Sequence, residues 1–126
     1  MPALSNWTYL ALAVVASALA YLFDVPKVFG AHPWWSQNVV LIGASAGLIV
    51  ALIAARSRFA SRAWIASVLL AVSAAGIAGY GKTRFVASFG DDAAAGQMWY
   101  FGWIAICLGV FLALALIGFA MRPKST

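Results

Sequence analysis

Few residues in this 126-residue chain are equipped for chemistry. The stretch YGKTRFVASFGDDAAAGQMW, residues 80–99, gathers Lys82, Arg84, Asp91 and Asp92, and GAHPWW, residues 30–35, holds the one histidine, His32. A single cysteine, Cys107, and a third carboxylate, Asp24, complete the set. One imidazole can serve as an axial ligand to haem or another pigment, so His32 with Trp34 and Trp35 is the candidate cofactor-binding group. Pro33 and the two tryptophans favour an interfacial anchor instead, and no cofactor is predicted. Three carboxylates fall short of an oxygen-donor cation site unless waters complete it; the expected duties of Asp91 and Asp92 are helix capping and pairing with Lys82 or Arg84. Cys107 can form neither an intrachain disulfide nor a Cys-x-x-Cys centre and reads as a small packing residue. No phosphate loop, nucleophile with a histidine base, or zinc motif occurs. Neither catalysis nor a metal site is expected.

The elements that must position these residues follow from composition. Hydrophobic residues make up 65% of the chain and charged ones only 9%, far below the roughly 25% usual in soluble domains. A soluble chain of this size cannot hide that much apolar surface, so the expectation is one all-α integral membrane domain over residues 1–126. Four runs free of Asp, Glu, Lys, Arg and His cover residues 5–23, 36–55, 63–80 and 98–121. Each matches the roughly 20 residues that cross a ~30 Å hydrocarbon core as a helix, and their continuity excludes the period-two pattern of a barrel. The spacing therefore predicts four transmembrane helices in a compact bundle. ASALAY, at residues 16–21, offers an A-x-A cleavage site, but no Lys or Arg precedes the apolar run as a signal peptide requires; the first span is read as a membrane helix.

Orientation comes from the cations. RSRFASR after the second span and RPKST at the end carry Arg56, Arg58, Arg62, Arg122 and Lys124 and no acid. The connections after the first and third spans hold Lys27, Lys82 and Arg84 together with Asp24, Asp91 and Asp92. The positive-inside rule then places both termini in the cytoplasm. Trp7, Trp34, Trp35, Trp64 and Trp99 fall near helix starts, where indoles sit at headgroup level, while Trp103 lies a turn deeper and suits core packing. Ser5 and Ser61 are expected caps for the first and third helices, Asp91 or Asp92 for the fourth, and Pro33 suits a first helical position. Small residues spaced by four should let the helices approach: Ala13 with Ser17, Gly43 with Gly47, Ala71 with Ala75 and Gly79, and Ala105 with Gly109 and Ala113. Gly43 and Gly47 also suit homodimerisation.

Function is less legible. No span carries the ionisable group that ion-coupled transport uses. The chain resembles the small four-helix multidrug transporters in size alone: they rely on a glutamate in the first helix, and no Glu occurs here. The net charge of +5 fits topology and anionic lipid heads better than nucleic acid. Phe29, Phe85 and Phe89, with Lys82 and Arg84, make the outer connections too apolar for solvated loops; they are expected to cap the bundle and to touch lipid or a partner. The leading expectation is a non-catalytic accessory or assembly subunit of a larger membrane complex, in a bacterial inner membrane, with the bilayer and a membrane protein or another copy of itself as partners. One alternative is a small oligomeric channel or carrier for an uncharged or lipid-like solute, its hydroxyls drawn from Ser17, Ser45, Ser67 and Ser73. A weaker alternative is a quinone-, pigment- or haem-binding subunit.

Overall fold

The computed structural model describes residues 6–120. These form α1 (Asn6–Leu22), a single turn α2 (Val25–Val28), α3 (Ser36–Ala55), α4 (Ala60–Ala87) and α5 (Ala93–Ala120), with no strand among the described residues. Three helices, α3, α4 and α5, are long and apolar enough to cross a membrane, and α1 is a shorter apolar helix. The described charges collect at the two ends. Arg56, Arg58 and Arg62 lie at one, while Asp24, Lys27, Lys82, Arg84, Asp91 and Asp92 share the other with His32. Along α4 the twenty residues from Arg62 to Lys82 rise about 30 Å at 1.5 Å each, the depth of a hydrocarbon core.

The helix ends show what local chemistry does where hydropathy gives no signal. α1 stops at Asp24, whose left-handed φ of 52° is tolerated by Asp better than by most residues. Gly30, at φ +106°, closes the α2 turn as its N–H donates to the Lys27 carbonyl. Pro33 is not the first residue of α3. The Trp34 N–H donates to His32 Nδ1 and the Trp35 N–H to the His32 carbonyl, so residues 32–35 form a turn and the helix starts at Ser36. The third expected span also begins earlier than read. Ala60 starts α4, Ser61 lies inside it without capping, and Ser57 Oγ instead accepts the Phe59 N–H in the preceding turn. α4 then runs seven residues past the expected end at Tyr80, through GKTRFVA, where no proline interrupts it. α5 starts five residues before the expected Met98, and of the acid pair it is Asp92 that caps it, its Oδ1 accepting the Ala95 N–H at 3.0 Å. The expected cap Ser5 and the span end Met121 lie outside the described residues.

α5 is the hub. α1, α3 and α4 all seat on it, α1 also leans on α3, and α4 barely touches any element but α5. Gly43 and Gly47 face α5 at backbone distance: a Cβ on Gly43 would stand 2.6 Å from the Ile104 carbonyl, and one on Gly47 2.7 Å from that of Leu108. Gly109 does the same against Ser67 and Ala71 of α4. The α4 ridge needs correction. Ala75 and Gly79 are exposed, with nothing within 4 Å of a Cβ built on Gly79; the stripe that seats on α5 is Ser67, Ala71, Ala74, Ala78 and Gly81. Ala105 is half-buried on the far side of the same seam, beside Ala74 and Phe101.

Candidate functional site

Because α1 and α4 each seat on α5 without closing on one another, an apolar fissure of about 460 Å³ remains between them. That volume falls in the ~300–1,000 Å³ range of small-molecule sites. Its floor is α5, from Trp99 through Trp103 and Cys107 to Val110; its α4 wall is Ala75, Ala78, Gly79 and Lys82; Pro26, Phe29 and Gly30 of the α2 turn close the charged end. From Trp99 to Val110 the floor runs about 16 Å along the helix, close to half a ~30 Å hydrocarbon core. Lys82 is the one ionisable side chain besides Cys107 on the lining, and it stands at the mouth.

An aromatic cluster lies behind that mouth and shares Trp99 with its lining. Trp99, 6% exposed, meets His32, Trp35 and Phe85 at ring-centroid distances of 5.5, 5.2 and 5.8 Å. Lys82 Nζ lies 5.8 Å from the Trp99 ring, within cation–π reach. His32 also stacks on Trp35 at 6.0 Å and meets Trp34 edge-on at 5.3 Å. Trp99 is thus no headgroup anchor at the start of its helix. It is the seventh residue of α5, buried because the α4 extension and the 32–35 turn close over it. Among the described residues its enclosed indole Nε1–H has no acceptor, and the enclosed Asp24 Oδ1 has no donor.

The other sequence-designated residues divide by where their neighbours put them. His32 Nδ1 accepts the Trp34 N–H at 3.1 Å, so the ring nitrogen left for any other partner is Nε2. Among the described residues no group of three or more His, Cys, Asp and Glu comes together for a metal. Arg84 pairs with Asp92 at 3.9 Å and lies over the Tyr80 ring. Phe85 points inward against Trp99 and Gly96 and is half-buried. Phe89, 96% exposed at φ 56°, stands free at the α4–α5 turn, and Phe29 is exposed on the fissure rim. The hydroxyls of Ser17 and Ser67 donate to carbonyls of their own helices, and Ser45 and Ser73 face outward. Trp99, Trp103 and Cys107 are the fissure residues that sequence reasoning assigned elsewhere, and no local signal marks them, since the fissure is made by the distance between α1 and α4.

The arrangement can hold an elongated apolar molecule from its side and meet a polar head at one end. It offers no nucleophile with a base and no paired acids at the lining. Compared with family models, curated proteins and solved structures, the chain matches none.

Proposed function

We propose that this chain is a non-catalytic, four-span protein of a bacterial inner membrane, both termini cytoplasmic, that works by holding a lipid-like molecule in the α1–α4 fissure. The observation that carries this reading is the fissure itself: an apolar slot about one leaflet deep, walled by small residues of α4 and floored by α5. Five cations and no acid on the other side against three and three on this one support the orientation, so the mouth faces the outer leaflet. α1, at 17 residues, crosses with little tilt, and the bilayer thins or its ends snorkel to match. The test is native mass spectrometry of the purified chain released from lipid micelles. One lipid-like molecule should remain bound to the native chain and be lost from Gly79→Leu, whose side chain fills the slot where Gly79 has open space. Retention unchanged in that variant would sink the reading.

A second reading, the accessory subunit, draws on a different observation. α4 is seated along one stripe only and leaves Ile65, Leu69 and Val72 uncovered on one face, the face a partner helix would take. Mild-detergent purification that yields only this chain, as monomer or homo-oligomer, would dismiss it.

A further inference from the structure

The occupant proposed above has a head as well as a tail, and the mouth of the fissure has its own chemistry. Resting on that reading, the geometry points to an anionic phospholipid, its phosphate on Lys82 and one acyl chain laid along α5.

Charge selects the class. Lys82 stands at the mouth of a slot that is otherwise apolar, and among the described residues the ion pair that forms is Arg84 with Asp92, so Lys82 has no acid within 4.0 Å. Lys82 is exposed, and a lipid of net negative charge gains from that cation what a neutral or zwitterionic one does not. Position fits as well. The Lys82 ammonium leans over the α2 turn, 2.9 Å from where a Cβ on Gly30 would lie, and a side chain there would displace it. It sits some 30 Å along α4 from Arg62, so both cations lie where headgroups lie. Beneath it the Trp99 ring belongs to the lining, 5.8 Å from the Lys82 ammonium. Depth completes the match: about 16 Å from Trp99 to Val110 takes an acyl chain from the headgroup level to the midplane, where α5 closes the floor with Phe111.

The experiment is a competition. The full chain, delipidated in detergent, is offered an equimolar mixture of phosphatidylglycerol and phosphatidylcholine with matched acyl chains, and the retained lipid is weighed by native mass spectrometry. The native chain should enrich phosphatidylglycerol about fivefold, the factor one cation supplies at a membrane surface. Lys82→Gln should bring the ratio to about one while total retention persists, and Lys82→Arg should restore it. Lys27→Gln, at the same end but off the lining, should leave the ratio unchanged. An unchanged ratio in Lys82→Gln, an equal fall in Lys27→Gln, or a retained fatty acid or neutral amphiphile would each overturn the phospholipid assignment. Gly79→Leu separates the two levels. Loss of both lipids there, with selectivity unaltered in Lys82→Gln, refutes the anion and keeps the fissure; retention of both refutes the fissure itself.

Discussion

Replacing Gly81 by Ala adds one methyl at the point where α4 meets α5 most closely. The new Cβ would stand 2.6 Å from the Ala95 carbonyl oxygen, 2.7 Å from the Trp99 nitrogen and 2.9 Å from Met98 Cβ. Two of these neighbours are backbone and cannot rotate away. Ordinary contact begins near 3.4 Å, so the helices must part by about 0.8 Å at this level. A radial gap of 0.5–1 Å already forfeits roughly a quarter to a half of a dispersion well, and α4 has no second element on which to recover it. Overpacking of this kind costs about 1–3 kcal/mol, against which the gain from Gly to Ala within a helix is about 1 kcal/mol. Gly79→Ala is the matched control: same helix, same chemistry, two residues away, and nothing within 4 Å of the new methyl. The two variants should therefore differ by about 1–3 kcal/mol, Gly81→Ala the less stable, in reversible unfolding from mixed micelles. Equal midpoints for the pair would refute the α4–α5 backbone approach at Gly81, because the propensity term is common to both.

Three further outcomes follow from the same geometry. Asp92→Ala, which removes the Oδ1 cap on the Ala95 N–H, should lower stability by about 1 kcal/mol while Asp92→Asn restores most of it; thermal unfolding in detergent reads both. Phe89→Gly should raise stability by roughly 1 kcal/mol, since Phe89 holds φ 56° at 96% exposure and Gly carries no left-handed penalty; a fall would mean the ring is seated in lipid or on a partner. His32→Ala removes three ring contacts and the acceptor of the Trp34 N–H, and should cost about 1–3 kcal/mol together with a shifted tryptophan emission; an unaltered spectrum would show that the cluster does not depend on the imidazole.

Sequence reading reached the residues that water and lipid sort, and failed where only neighbours decide. The 36–55 run matched α3 to the residue because a proline turn and Arg56 bound it. The runs at 63–80 and 98–121 marked the uncharged stretches of two longer helices; α4 and α5 continue past those stretches until the Phe89–Gly90 turn separates them. The small-residue ridge of α4 went astray for a geometric reason. Steps of four residues drift about 40° each on a helix of 3.6 per turn, so after Ala71 the residues Ala75 and Gly79 rotate off the seam. Alternating steps of four and three, Ser67 to Ala71 to Ala74 to Ala78 to Gly81, stay on it. Lys82 was singled out from its charge alone, but its partners at the fissure mouth, Gly30 and Trp99, lie 52 residues before it and 17 after it, and no pattern within a single helix joins them.

Arg62 and Lys82 make α4 a gauge as well as a wall. Two cations fixed to one rigid rod set the height at which the chain rides, and a bilayer a few ångströms thicker or thinner must pull one of them off its phosphates. Since Lys82 also stands at the fissure mouth, membrane thickness and the proposed occupancy of the slot would be coupled through a single side chain: a long-chain bilayer would draw that ammonium inward and a short-chain one would release it outward.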